Sequence, residues 1–325
     1  MAGRKQVLEL LVVTGFALSA LAGCSNSSSS KGSAASTTAA TTSSSPSPVA
    51  TASTSPTTTA VAPVATSRPA LASGQLKLLT YNVAGLPQGL SSSDPARNTP
   101  LISPKLNDYH LVLVQEDFWF HDLLKKDATH PHQSAHHRGY TTPVGDGLNR
   151  FSIWPFRDHS RLRWADCNGF TGAANDCLSS KGFSFAIHEL APGVEVHVYN
   201  LHADAGGSTE DIDARESNFA QLKAWIAAFS AGEALIVAGD TNLKDGSVQP
   251  RDEAILDDLL QSAGLQEVAR VLGHPSMIDR IMFRSSAALE LTPVRWRVAT
   301  EFQDGSGLDL SDHPAIHVDF DYQEK

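Results

Sequence analysis

Carboxylates, carboxamides and histidines recur in short clusters, in a fixed order, along this chain of 325 residues. The clusters are Thr80-Tyr81-Asn82, Gln115-Glu116-Asp117, Asn200-Leu201-His202-Ala203-Asp204, Gly239-Asp240-Thr241-Asn242, Ile278-Asp279-Arg280 and Ser311-Asp312-His313-Pro314. Asp176 and Lys181-Gly182 stand between the second and the third. Carboxylate oxygens suit hard divalent cations, and an imidazole near its ordinary pKa can take or give a proton. Converging on one cleft, such groups make a metal-assisted, phosphodiester-cleaving site.

Convergence requires elements that end together. Apolar runs precede most of the clusters: Leu76 to Leu79, Leu111 to Val114, Val194 to Val198 and Ala234 to Ala238. Strand-like runs rich in Val, Ile, Leu and Phe fall at 76–81, 111–116, 183–188, 194–200, 234–239, 278–283 and 316–320. Helical periodicity covers Asp211 to Phe229, where Ile212, Phe219, Leu222, Trp225 and Ile226 share a face. A second helix runs from about Asp252 to Ala263, with Ile255, Leu259 and Leu260 inward. Strands with helices between them predict a layered α/β fold, two sheets face to face and helices outside. The clusters then lie at strand ends and in the following loops.

The N-terminal part reads differently. Arg4 and Lys5 precede an apolar stretch, Val7 to Ala20, too short to span a bilayer. Leu21-Ala22-Gly23-Cys24 resembles a bacterial lipobox, which implies cleavage before Cys24 and lipidation of its thiol. A plain secretory signal with an incidental cysteine is the alternative, and both imply export. Residues 1–24 are thus expected to be a lipoprotein signal, making the protein a cell-surface lipoprotein anchored to the bacterial cell membrane. Residues 25–73 are almost all Ser, Thr, Ala and Pro, a disordered tether able to hold a domain roughly 40 Å from its anchor. Residues 74–325 are the part able to fold.

Of 25 basic and 35 acidic residues, only Arg4, Lys5, Lys31, Arg68 and Glu9 precede Gly74. The folded part therefore carries 21 basic and 34 acidic residues, a formal charge of −13. Such a surface does not attract nucleic acid as a whole and suits bound divalent cations. With Cys24 consumed by lipid, Cys167 and Cys177 remain, and in an exported protein they are expected to pair as a disulfide. A zinc site is the alternative, without cysteine or histidine partners at the usual spacing.

The ordered set Asn, Glu, Asn-x-His-x-Asp, Gly-Asp-x-Asn, Asp-Arg-Ile, Ser-Asp-His resembles the endonuclease/exonuclease/phosphatase superfamily, which includes deoxyribonuclease I and the neutral sphingomyelinases. The resemblance covers essentially all of 75–322, and Gly239-Asp240-Thr241-Asn242 and Ser311-Asp312-His313 are its most specific pieces. It implies a four-layer α/β sandwich, deoxyribonuclease I-like, of two packed mixed β-sheets flanked by helices. It also implies roles. Glu116 is the principal metal ligand, with Asn82 beside the metal and Asp312 on the metal side. Mg²⁺ is the expected ion, with Mn²⁺ or Ca²⁺ as alternatives. His313 takes a proton from attacking water, oriented by Asp279. His202 donates to a phosphate oxygen or the leaving group, and Asp240 and Asn242 position water and phosphate. No motif locates a glutamate behind His202.

The segment Asp176-Cys177-Leu178-Ser179-Ser180-Lys181-Gly182 resembles a part of neutral sphingomyelinases in which the Asp–Lys pair is tied to activity. Lys181 then lies over the phosphate; the alternative is a surface ion pair beside the disulfide. Phe118-Trp119-Phe120 is either a lipid-facing lip or core. His121, His130, His132, His136 and His137 are expected in a solvated loop, with a second metal site as the alternative. The leading expectation is an exported, Mg²⁺-dependent phosphodiesterase acting on a phospholipid or sphingomyelin head group. A nuclease of the same superfamily and a catalytically dead surface-binding lipoprotein are the competing expectations. Nucleic acid is the weaker partner, and no obligate protein partner is implied.

Overall fold

The computed structural model describes residues 70–88, 93–139, 144–169 and 176–325. The expected signal segment, Cys24 and the expected tether as far as residue 69 lie outside them. In chain order the strands are β1 (Ser73–Asn82), β2 (Leu111–Gln115), β3 (His132–Gln133), β4 (Asn149–Ser152), β5 (Phe156–Arg163), β6 (Gly182–Ala191) and β7 (Val194–His202). They continue as β8 (Leu235–Asp240), β9 (Gln266–Glu267), β10 (Asp279–Arg284), β11 (Leu289–Val298) and β12 (Ile316–Glu324). Helices are α1 (Pro95–Ile102), α2 (His121–Leu124), α3 (Thr209–Phe229), α4 (Pro250–Ala263) and α5 (Val268–Val271).

Two six-stranded sheets form, in the orders β11-β12-β1-β2-β4-β3 and β5-β6-β7-β8-β10-β9. Both are mixed: β1 runs parallel to β2 and β7 parallel to β8, and the other pairings are antiparallel. Strand alternation assigns each sheet two apolar faces. Leu76, Leu78, Leu111 and Leu113 meet Val196, Val198, Ile236 and Ile281 between the sheets. Leu79, Tyr81, Val112 and Val114 pack outward beside Ile102 of α1. Tyr199, Leu201 and Val237 pack outward beneath Phe219 and Leu222 of α3 and Leu256 and Leu259 of α4. The result is the expected four-layer sandwich.

α3 starts at a capping box, the Ser208 hydroxyl on the Asp211 N–H and the Asp211 carboxylate on the Ser208 N–H. β1 begins at Ser73, one residue before the boundary expected from composition. β5 and β11 escape the periodicity argument because they are edge strands with exposed charged positions. β11 also carries Pro293, tolerated at an edge where one face of the ladder needs no donor. No described helix is long and apolar enough to cross a membrane.

Candidate active site

The parallel pairs of both sheets end on the same side, where their loops open into one cleft. Within the second sheet, His202 is the register partner of Asp240, and Asp240 of Asp279. Three strands thus deliver three chemically active side chains in a row. The β7–β8 approach depends on Gly239, whose φ is +140°; a Cβ there would lie 2.0 Å from the Leu201 carbonyl oxygen. In the first sheet, Asn82 ends β1 and Glu116 follows β2. Among the described residues four non-glycines have positive φ, and three of them, Ala84, Glu116 and Asn242, flank this cleft. Strained backbone persists where the surroundings over-determine it, which is frequent at functional sites.

The Asn82 amino group donates to Glu116 Oε1 and to Asp240 Oδ2, each at 3.1 Å, and so bridges the two sheets. His202 Nε2 lies 3.3 Å from Asp240 Oδ2 and 4.0 Å from Glu116 Oε1. His313 Nδ1 lies 2.8 Å from Asp279 Oδ2, and its Nε2 lies 3.8 Å from Asp240 Oδ2. The Ser311 hydroxyl donates to the Asn82 carbonyl at 2.7 Å and accepts the His313 N–H at 3.3 Å, fastening the last loop onto the end of β1. Lys181 Nζ pairs with Asp176 and reaches the Ala203 carbonyl at 3.5 Å. Asp176 is held in turn by the Ala205 N–H at 2.9 Å.

Burial pushes the Glu116, Asp240 and Asp279 carboxyls up from their ordinary values, Asp240 to about 6 with the Asp279 charge as second cause. Burial drives the His202 imidazole well below its ordinary value, and the charges of Lys181 and His313 add to this. Burial also opposes charge on His313, but the Asp279 hydrogen bond and charge, with Asp240 and Glu116, win and push it up to about 10. For Lys181, burial is outweighed by Asp176 and Glu116, which hold the ammonium above its ordinary pKa. These surroundings thus favour the protonated form of His313 and the neutral form of His202.

Three carboxylates raised by burial, faced by Lys181 and His313, leave negative charge that a divalent ion would offset. Ligand atoms of Asp240, Asp279 and His313 lie within 4.8 Å of one another, and Glu116 is linked to Asp240 through Asn82. This oxygen-rich set suits a hard divalent cation.

Glu116, His202, Asp240, Asp279 and His313 come together as the sequence indicates. Asn82 differs in detail: its Oδ1 accepts the Ala84 N–H at 3.1 Å, so it meets the site through its amino group rather than its oxygen. Asn242 sends its N–H to Asp240 Oδ1 at 3.0 Å and its amino group to the Ala203 carbonyl at 3.1 Å, bracing the turn that carries Asp240. Asp312 is exposed at the rim, where its charge adds to the rise of Asp279. Asp176 and Lys181 are no surface pair, being 4% and 11% exposed. Cys167 and Cys177 form the disulfide. The His202 Nδ1, for which no backing glutamate is apparent in the sequence, is buried without a hydrogen-bond partner among the described residues.

The aromatic triplet divides, Phe118 buried and Trp119 62% exposed. The histidine segment departs from the expected solvated loop. Asp117 faces away from the cleft and receives His121 Nδ1 at 2.6 Å and the Asn149 amino group at 2.7 Å. The His121 ring stacks on His136 at 4.5 Å, so these histidines are structural packing around a buried carboxylate. Sequence reasoning left three contributors out of the site. Ser311 sat inside a recognised cluster, Gly239 preceded the Asp240 aspartate, and Asp204 closed the Asn-x-His-x-Asp cluster. Burial pushes Asp204 to about 7, with Asp176 as second cause.

This architecture is the deoxyribonuclease I-like fold. Sphingomyelinases of Mycobacterium bovis and Mycobacterium tuberculosis are similar to the chain, 32% identical over 274 residues that cover 77% of it and 53% of them. The chain spans about half the length of these curated relatives. Among solved structures, a beta toxin variant from Staphylococcus aureus with bound magnesium ions superimposes with a TM-score of 0.56 at 17% identity, over 75% of this chain and 99% of that one. Sphingomyelinase C from Streptomyces griseocarneus gives 0.55 at 21% identity, over 76% and 99%. No family model matches the chain.

Proposed function

We propose that the chain is a metal-assisted phosphodiesterase that hydrolyses the head-group ester of sphingomyelin or a related phospholipid. The single observation that carries the chemistry is the pair of histidines flanking Asp240, one oriented by Asp279. The choice of lipid rests on the sphingomyelinases among its similar proteins and on the buried Asp176–Lys181 pair beside Glu116.

In this mechanism the phosphate enters between His202 and His313. Asp279 holds His313 Nδ1, so Nε2 is the atom that exchanges a proton with the attacking water, which Asp240 orients. Neutral His202 hydrogen-bonds a phosphoryl oxygen or the leaving oxygen. Lys181 adds a fixed positive charge where negative charge develops. Glu116 and Asp240 would hold Mg²⁺, which when bound would supply positive charge to offset the negative charge that develops on the phosphate. Asn82 keeps these two carboxylates in register, and Asp312 adds negative charge at the rim.

The test is hydrolysis of sphingomyelin, phosphatidylinositol and plasmid DNA by the full chain, each with Mg²⁺ or EDTA. Cleavage of sphingomyelin with Mg²⁺ alone is expected; preferential DNA cleavage would make the chain a nuclease instead. Glu116→Gln should leave the circular dichroism spectrum intact, weaken Mg²⁺ binding and nearly abolish turnover. We further propose export and anchoring through Cys24, with residues 25–73 as the tether and 74–325 as the catalytic domain. Cys24→Ser should shift the protein from the membrane to the soluble fraction with catalysis retained, and an unchanged distribution refutes the anchor.

A further inference from the structure

Three strands change from apolar to polar at the same level between the sheets. Leu76 and Leu78 of β1, Leu111 and Leu113 of β2 and Val196 and Val198 of β7 point into the core there. The next positions on the same faces are Thr80, Gln115 and Asn200, and Asn82 and His202 follow Thr80 and Asn200. Thr80, Gln115 and Asn200 are fully buried and form a polar layer between core and cleft. The Gln115 amino group donates to Asn200 Oδ1 at 2.7 Å and to Thr80 Oγ1 at 3.0 Å. The Asn200 amino group donates to the Val114 carbonyl at 2.9 Å and the Asn149 carbonyl at 3.2 Å, register partners on β2 and β4. One side chain of the second sheet thereby holds two adjacent strands of the first. Gln115 Oε1 is buried without a hydrogen-bond partner among the described residues. An apolar residue of similar size would avoid that desolvation cost, so stability alone does not account for an amide here.

We propose that Gln115 and Asn200 are positioning residues, an inter-sheet latch that sets the offset between the two halves of the site; its bearing on the cation rests on the function proposed above. Asn82 and Glu116 belong to one sheet and its loops, and His202, Asp240 and Asp279 to the other. Apolar contacts between the sheets are non-directional, so they resist separation but define the offset weakly. Hydrogen bonds between amides are directional, and a shift of either sheet breaks several of them together. The latch adjoins the site on both sides. Gln115 is the register partner of Asn82 and immediately precedes Glu116, and Asn200 lies two residues before His202. A cation held by Glu116 and Asp240 spans the two sheets, so its affinity reads the offset that the latch maintains.

The experiment compares the full-length wild type with Gln115→Met, Asn200→Leu, the double variant and Ile236→Val, which trims the apolar contact between the sheets and leaves both amides alone. Mg²⁺ Kd is measured by calorimetry, stability by urea unfolding, and kcat and KM on sphingomyelin with Mg²⁺. Both single variants should lose stability and bind Mg²⁺ roughly ten- to a hundredfold more weakly, with kcat falling more than KM rises. The double variant should regain part of the stability, because neither amide then faces a missing partner, yet still bind Mg²⁺ weakly. Ile236→Val should lose stability and keep its Kd. A Kd that recovers with stability in the double variant, or a wild-type Kd in both single variants, overturns the latch. A wild type that neither binds Mg²⁺ nor cleaves sphingomyelin overturns the parent reading instead. Crystal structures of the metal-free variants decide the latch in that case: loss of the Asn82–Asp240 hydrogen bond, 3.1 Å here, supports it, and a retained bond overturns it.

Discussion

Asp279 and His313 are the residues whose separation in sequence says least about their relation in space. At 2.8 Å they form a carboxylate–imidazole pair, proposed above as one acid–base unit. Asp279→Asn removes the hydrogen bond and charge that counter burial and raise the His313 pKa, so the imidazole should titrate at lower pH, followed by NMR of its ring protons. Rate should fall by several orders of magnitude in Asp279→Asn and in His313→Ala, and the double variant should be little worse than either. Additive losses would mean that the two residues work independently. His202 is the opposite case: burial lowers its pKa and the Lys181 charge adds to this, so Lys181→Met should raise it.

The strand ends set the geometry at the next scale. Gly239 lets β8 pass the Leu201 carbonyl, and the same register aligns His202 with Asp240. Gly239→Ala should cost at least about 2 kcal/mol in urea unfolding, with loss of activity, because backbone rather than a flexible side-chain tip must yield. The disulfide works on the loop before β6. It joins Cys167, next to the Asn168 whose N–H meets Asp204 at 3.0 Å, to Cys177, next to the Asp176 that holds Lys181. Replacing both cysteines by serine should lower stability by about 3 kcal/mol. It should also lower turnover, since Lys181 loses its fixed partner. Full stability in the reduced protein would assign the bond no structural role.

Across the whole molecule, the buried charge ties stability to pH. Asp240 rises from 3.8 to about 6 on folding, and His313 from 6.5 to about 10. A raised folded pKa stabilises below the unfolded value and loses that contribution as pH climbs through the folded value. The metal-free protein should therefore weaken from about pH 4 to 6 through Asp240 and from about pH 6.5 to 10 through His313. A bound dication offsets the same carboxylate charge, so Mg²⁺ should raise Tm more at pH 8 than at pH 5, read by thermal melts with and without EDTA. An equal shift at both pH values would place the ion away from this cluster.

Much of the site and fold is written locally. Apolar runs ending in polar clusters mark the strands that carry Asn82, Glu116, His202 and Asp240, because a buried strand must be apolar until it leaves the core. Alternation and helical periodicity likewise mark the two sheets and both long helices. What local pattern does not carry is which side chain meets which. The edge strands β5 and β11 lack the pattern because little of their surface is buried. The amide of Asn82 is turned by an N–H two residues on, and the Asp117 carboxylate is drawn to His121, which composition assigns to solvent. The charge states of His202 and His313 are likewise decided only by assembly. The same residue type is shifted down in one place and up in the other, because burial acts on both and only His313 has a carboxylate on its second nitrogen.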